Sequence, residues 1–121
     1  YNNKLSDLNF FQLPYENNSS SHSFQSYPCL FDYKEISLKN IEKIKNRRND
    51  FMDFLQNKGV STRPATHAVH MLSYYKEKYH LESEDFPNAY IANEASISFP
   101  LFNGLLIEEQ EYVINAIKEF I

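Results

Sequence analysis

Residues 38–63, LKNIEKIKNRRNDFMDFLQNKGVSTR, predict a long amphipathic helix that runs directly into a short strand. Ser37 can cap the start of this helix and Gly59 can end it, so we expect helix over residues 38–57. The strand is expected over residues 60–63. The apolar side chains that recur at helical spacing are Ile41, Ile44, Phe51, Phe54 and Leu55.

The same predicted helix carries a cluster of four basic residues, interspersed with acidic residues. They could bind a phosphate group, but their mixture with Glu42 and Asp50 is more typical of a helix face in contact with water. We therefore interpret the cluster as a solvated face. Its members are Lys43, Lys45, Arg47 and Arg48.

On both sides of this helix the pattern alternates between strands and helices. Residues 24–31 predict a strand, and Pro28, which has no N–H, places that strand at a sheet edge or a bulge. Thr66 is expected to cap a helix over residues 66–79, with Val69, Leu72, Tyr75 and Tyr79 facing inward.

Near the end of the chain, Pro87 predicts the start of a short helix and residues 96–99 predict a strand. The last helix is expected to bury Val113, Ile114, Ile117 and Phe120. Short strands interrupted by helices favour an α/β two-layer sandwich.

The composition is that of a folded domain. The chain has 121 residues, 42% of them hydrophobic, and ten Phe and nine Tyr supply core material, which excludes disorder. A net charge of −4 argues against a nucleic-acid partner, and no apolar run is long enough to span a membrane. The single Cys29 and the lack of a signal segment favour a cytoplasmic protein.

The first residues suggest a fragment. Tyr1, Leu5 and Leu8 recur at helical spacing with no cap before them, so we expect the chain to be cut from a longer protein. Residues 16–21 are polar and predict an exposed loop. We accordingly divide the chain into the end of a truncated helix with a polar loop, residues 1–21, and a domain over residues 22–121.

The densest group of polar residues follows the predicted strand. If Thr66 starts a helix, His67 and His70 lie in its first turn, where unpaired N–H groups favour anions and neutral imidazoles. With Arg63 they could hold hydroxyl or phosphoryl oxygens of a ligand. The alternative is a surface helix start whose histidines pack locally, and the spacing alone favours this alternative.

Two further chemistries are disfavoured. A zinc site would need His67, His70 and His80, with Glu82 or Glu84, at a spacing unlike the usual ligand pairs. Cys29 lies within a predicted strand between Pro28 and Leu30, which is typical of a buried, inert thiol.

Several stretches resemble one enzyme family. They are HSFQSY at residues 22–27, RNDFMDFLQNKGVST at 48–62, the segment 62–75 with its Thr, His and Tyr, and the closing series FPNAY, SFPLF and EEQEYVI at 86–90, 98–102 and 108–114. In this order and spacing, residues 22–121 resemble the C-terminal portion of DegT/DnrJ/StrS-type sugar aminotransferases, which are pyridoxal-phosphate enzymes. The resemblance implies the small domain of the aspartate aminotransferase fold, with a mostly antiparallel sheet.

The resemblance also implies a function for the parent protein. Such a parent transfers an amino group from glutamate to a nucleotide-linked keto-sugar, feeds surface polysaccharide or related sugar synthesis, and is a homodimer. Its Schiff-base lysine lies in the larger N-terminal domain, so we expect no catalytic residue and no bound pyridoxal phosphate in this chain. A sugar dehydratase of the same family is one alternative. The other is a free-standing, non-enzymatic interaction domain that uses the helix face of Arg47 and Arg48 or the exposed aromatics.

For individual residues the resemblance implies less. His70 matches the family's later His and is the best candidate for a sugar-facing residue, while Arg63 and His67 rest on the expected helix-start electrostatics. Some family members have a His-Tyr pair where this chain has Ala65 and Thr66. Leu106 occupies the position of a capping Thr.

Overall fold

The centre of the molecule is a three-stranded antiparallel sheet. The computed structural model describes residues 1–121, and places strand β2 (Tyr27–Phe31) between β1 (Phe11–Gln12) and β3 (Ser96–Phe99). Residue 24 has a φ of +46°, so the strand begins later than predicted. The small antiparallel sheet confirms the predicted fold class.

The N-terminal residues pack into the same core as the rest of the chain. Helix α1 (Asn2–Leu5) buries Leu5, which is 1% exposed, and the unpredicted strand β1 buries Phe11. The Tyr1 hydroxyl donates a hydrogen bond to the carbonyl of Pro100 at 2.9 Å. Residues 16–21 are exposed, as predicted. The division of the chain at residue 21 stays a prediction.

Pro28 lies in the central strand, so its predicted position on an edge strand was wrong. It stands opposite Ser98, whose N–H and C=O both bond to the backbone of Arg63 on the far side of β3. The Pro28–Ser98 pair therefore has no ladder hydrogen bonds, and the Pro28 nitrogen faces the side of β1. Because β1 reaches only as far as Leu30, no bond is lost there.

The long helix α2 (Ile41–Asn57) starts later than predicted, because Asn40 rather than Ser37 occupies its N-cap. The Ser37 N–H and hydroxyl both donate to Asn40 Oδ1, at 2.9 and 3.0 Å, and so close a turn before the helix. The predicted end is confirmed. Gly59 adopts a φ of +77°, and the N–H of Val60 donates to a carbonyl in the last turn at 2.8 Å.

One basic residue of α2 was misassigned to the solvated face. Arg48 is 5% exposed, and its Nη1 donates to the carbonyl of Ser96 at 2.8 Å. Lys45 pairs with the buried Glu94, its Nζ lying 2.9 Å from Oε2. Helical periodicity did not indicate these partners, because both belong to elements distant in sequence. The apolar stripe is confirmed, with Ile41, Ile44, Phe51 and Leu55 buried and Phe54 partly buried.

The predicted helix over residues 66–79 was wrong in its first half, whereas its end at Tyr79 is confirmed. Only Val69–Met71 form a single 3-10 turn and Ser73–Tyr79 form helix α3. The four side chains expected to face inward are exposed, at 55%, 49%, 39% and 56% for Val69, Leu72, Tyr75 and Tyr79. Residues 60–63 contribute one isolated bridge, between Arg63 and Ser98, rather than a strand.

The C-terminal elements follow the prediction. Helix α4 (Pro87–Ala95) begins at Pro87 and leads directly into β3. Helix α5 (Ile107–Phe120) buries Val113, Ile114 and Ile117 as predicted. Phe120, which was also expected to be buried, is partly buried. None of the helices combines the length and the hydropathy needed to cross a membrane.

Aromatic rings join the sheet to the helices. The ring of Phe51 on α2 lies 5.4 Å from Phe31 of β2, 6.3 Å from Phe99 of β3 and 4.9 Å from Phe120 of α5, measured between ring centroids. Helices α2 and α5 thus form a layer against one face of the sheet, as expected of a two-layer α/β domain.

Candidate functional site

The segment after α2 is held against the edge of β3. Arg63 exchanges two backbone hydrogen bonds with Ser98, at 3.3 and 2.7 Å, and the N–H of Ala65 donates to the Ser96 hydroxyl at 3.2 Å. These bonds keep the segment extended, since its backbone groups find partners outside any helix. The chain then leaves the sheet and turns at Val69–Met71.

His67 and His70 meet at one surface cavity of about 450 Å³. Apart from the two tyrosine hydroxyls, the two histidines are its only polar side chains. The other lining side chains are apolar or aromatic: Val69, Tyr75, Tyr79, Leu81, Phe86 and Ala89. An apolar cavity with a few polar groups is typical of a small-molecule site.

His70 is the buried member of the pair. It is 7% exposed, and its ring lies 5.1 Å from the ring of Phe86. Its Nε2 atom is buried and has no hydrogen-bond partner in the protein. Buried polar atoms are seldom left without a partner, so this nitrogen has unused hydrogen-bonding capacity.

Arg63 does not join the histidines. Its side chain is exposed, Nη1 donates to the neighbouring Thr62 carbonyl at 3.1 Å, and it does not line the cavity. His67 is exposed at the rim. The structure thus brings together two of the three predicted site residues.

The predicted electrostatics of a helix start were also wrong. His67 lies before the 3-10 turn in non-helical backbone, and α3 begins only at Ser73. His67 and His70 therefore do not lie in the first turn of an α-helix. His70 is a candidate because of its burial and its unpartnered nitrogen.

Sequence reasoning did not identify Phe86 or Ser96 as parts of the site. Phe86 packs on His70, and Ser96 anchors the preceding segment through its hydroxyl. Both contacts join residues far apart in the chain, and no local spacing indicates them.

Metal and thiol chemistry find no support. No three side chains of His, Cys, Asp or Glu come together in a way that could hold a metal ion. Cys29 is 2% exposed, and burial raises its pKa to about 12, which disfavours the reactive thiolate. Its interpretation as a buried thiol is confirmed.

Two lysines, Lys45 and Lys58, do not fit the covalent attachment of pyridoxal phosphate. An amine that attacks an aldehyde requires a lowered pKa, whereas the hydrogen bond to Glu94 raises the pKa of Lys45. The pKa of Lys58 is raised in the same way, by a hydrogen bond to Glu119. Four lysines are held in ion pairs with carboxylates: Lys4, Lys45, Lys58 and Lys76.

A second cavity, about 570 Å³ in volume, is mostly apolar. Its lining includes Leu101, Phe102 and Tyr112, and its one acid is Glu109. The Glu109 carboxylate already accepts the N–H of Leu106 at 2.9 Å, at the start of α5. The one acid of this cavity is therefore already engaged at the start of α5.

Comparison with known proteins agrees with the fold and the order of the motifs. The chain is 25% identical over 121 residues to the uncharacterized protein MJ1066 of Methanocaldococcus jannaschii, covering 100% of this chain and 29% of that protein. It is 21% identical over 108 residues to the spore coat polysaccharide biosynthesis protein SpsC of Bacillus subtilis, covering 89% of this chain and 26% of SpsC.

A solved structure shows the same fold. Spr1654 of Streptococcus pneumoniae, described as a sugar aminotransferase and solved in its PLP form, matches with a TM-score of 0.79 at 20% identity, over 99% of this chain and 28% of its own. The chain thus spans less than a third of the length of these relatives. A model of the DegT/DnrJ/EryC1/StrS aminotransferases matches residues 1–118, and the chain belongs to that family.

Proposed function

We propose that this chain forms the sugar-side wall of the active site in a pyridoxal-phosphate-dependent aminotransferase. The complete enzyme would transfer an amino group from glutamate to a nucleotide-linked keto-sugar, for surface polysaccharide or related sugar synthesis. The observation that carries the proposal is the buried, unpartnered Nε2 of His70 beside an aromatic cavity. The match of the chain to sugar aminotransferases and to SpsC supports the choice of substrate.

His70 would bind one sugar oxygen. Its Nε2 can donate or accept a hydrogen bond, as a hydroxyl or carbonyl oxygen requires. The apolar faces of Phe86, Tyr75 and Tyr79 would pack against the carbons of the ring and exclude water. His67 at the rim would contact a more exposed part of the same substrate. Arg63 is a weaker candidate for substrate binding, since it lies outside the cavity.

The cofactor would be held by another part of the longer protein. Pyridoxal phosphate supplies an electron sink for the transfer of the amino group. The raised pKa of Lys45 speaks against its covalent attachment in this chain, and the PLP form of Spr1654 supports its presence in the complete enzyme. We also propose that the parent is a homodimer, as the resemblance implies. The single Cys29 supports a cytoplasmic location.

The non-enzymatic alternative has less support. A docking face at Arg47 and Arg48 is disfavoured, because Arg48 is buried and Arg47 forms an ion pair with Asp32. Three exposed aromatics, Tyr75, Tyr79 and Phe86, line the cavity of His70 and so belong to the proposed site. The other exposed aromatics lie outside this cavity: Tyr15, Tyr74, Phe102 and Tyr112. Analysis of the product distinguishes a sugar dehydratase from an aminotransferase. The product of a dehydratase has lost water, whereas the product of an aminotransferase has gained the nitrogen of glutamate.

The test is kinetic and uses the longer protein that contains this chain. His70→Ala is expected to lower kcat/KM for the keto-sugar by about tenfold, the equivalent of one hydrogen bond. The absorbance of bound pyridoxal phosphate should stay unchanged. His70→Gln, which keeps a polar group near the position of Nε2, should recover part of the activity.

The matched control is His80→Asn. His80 is exposed and ends α3 with a φ of +53°, a conformation that Asn tolerates. This variant should keep the kinetics of the wild type. If His70→Ala also has wild-type kinetics, His70 does not contact the sugar and the proposal fails.

A further inference from the structure

The loop that carries His70 is tied to α4 by the side chain of Asn93. The N–H of Ala68, a residue 2% exposed, donates to Asn93 Oδ1 at 2.9 Å, and Asn93 Nδ2 donates to Glu94 Oε1 at 2.7 Å. A backbone N–H can only donate and an ionised carboxylate can only accept. These two partners therefore fix which way the Asn93 amide is turned.

Glu94 is itself held in place. It is 7% exposed, and its Oε2 lies 2.9 Å from Nζ of Lys45 on α2. The charge of the buried Arg48 also acts on it. A buried carboxylate needs such partners, so Glu94 is a fixed acceptor for the Asn93 amide.

A single 3-10 turn connects the hydrogen bond at Ala68 to His70. The N–H of Met71 donates to the carbonyl of Ala68 at 2.9 Å, which closes the 3-10 turn that contains His70. Between residues 66 and 72, the bond from Ala68 to Asn93 is the only hydrogen bond to the body of the domain. This hydrogen bond therefore ties the loop that carries His70 to α4.

We propose that Asn93, oriented by Glu94 and Lys45, is the positioning residue that holds His70 at the cavity. Asn93 does not line the cavity and acts only through the loop. The expected effect of Asn93 on catalysis rests on the proposed function. Its effect on the position of His70 does not depend on that function.

The experiment measures the loop in the 121-residue chain by NMR. Ring-current shielding by Phe86, at a centroid distance of 5.1 Å, marks the position of the His70 ring in its proton shifts. Asn93→Ala is expected to move these shifts and to speed hydrogen exchange of the Ala68 amide by about tenfold, since that N–H loses its acceptor. Asn88→Ala, at an exposed position on the same helix, is the control and should change neither.

Two more variants keep the test decisive. Glu94→Gln still offers an oxygen to Asn93 Nδ2, so the His70 signals should stay near those of the wild type. If Asn93→Ala fails to fold, Asn93→Asp replaces it at nearly constant volume. Its second negative oxygen faces Glu94, so the side chain should turn away and loosen the loop in the same direction.

The proposal is overturned if Asn93→Ala lowers only the stability and leaves the His70 shifts and the Ala68 exchange rate at wild-type values. In the longer protein, Asn93→Ala should lower kcat/KM for the sugar and add nothing to His70→Ala in the double variant. If His70→Ala has no kinetic effect while the NMR changes in Asn93→Ala persist, the positioning role stands and the proposed function fails.

Discussion

Phe51 is expected to contribute more to the stability of this domain than any exposed aromatic residue. It is fully buried, and its ring centroid lies within 5.8 Å of those of Phe11, Phe31 and Phe120. Truncation to Ala removes a ring of α2 from between the sheet and α5, where the neighbouring rings come from three different elements: β1, β2 and α5. Phe51→Ala should therefore cost about 4 kcal/mol, within the range for buried Phe.

The free energy lost in Phe51→Ala is a large share of the total free energy of unfolding. A domain of this size is stable by roughly 5–15 kcal/mol, so the variant should stay folded at 25 °C with a thermal midpoint lower by on the order of 15 °C. Urea unfolding followed by tyrosine fluorescence measures the change, since the chain has nine Tyr and no Trp. The slope of the unfolding free energy with urea should stay constant if the native surface is unchanged.

Two other variants bracket the result. Phe51→Leu keeps most of the apolar volume and should cost about 1–2 kcal/mol. Phe102→Ala removes the same side chain at a position that is 57% exposed and should change the stability by about 0.5 kcal/mol or less. Equal losses in Phe51→Ala and Phe102→Ala would refute the assignment of Phe51 to the centre of the core.

Three further outcomes are expected. Leu106→Ser should stabilise the chain by about 1 kcal/mol in urea unfolding, because Ser can accept an N–H of the first turn of α5 that Leu cannot; Leu106→Ala should give no such gain, and a gain there would point to another cause. Burial raises the pKa of Cys29 to about 12, so its thiolate stays scarce in the folded state up to high pH, and Ellman's reagent should label it at pH 8 only in guanidinium; rapid labelling without denaturant would contradict its burial. Pyridoxal phosphate added to this chain should give no aldimine absorbance band, since pairing with carboxylates raises the pKa of Lys45 and Lys58; a borohydride-trapped adduct at one lysine would show the opposite.

The parts of the fold that the sequence predicted are those whose signals are local. The apolar stripe of α2, the Gly59 stop and the strand Ser96–Phe99 each occupy a short run of residues, and each lies where the pattern placed it. Each of these elements packs through its apolar face, and the spacing of apolar residues along the chain already identifies that face.

The errors share a different cause. Val69 has helical spacing but is exposed, because the segment before it pairs with β3 and does not enter a helix. Tyr79 lies in α3 but is also exposed. Pro28 is tolerated in the central strand only because β1 is short. Arg48 is buried because the carbonyl of Ser96 accepts its hydrogen bond. In each case the deciding contact lies far away in the sequence.

The sequence by itself determined the family, the antiparallel α/β class and His70 as the leading candidate, since motif order and helix periodicity are properties of the linear chain. The tertiary structure alone decided where His70 lies and what holds it. Its unpartnered nitrogen, its packing on Phe86 and the bond from Ala68 to Asn93, 25 residues away, depend on contacts that exist only once the chain is folded. Hydrogen bonds and burial act through space, so no spacing along the chain could have revealed them.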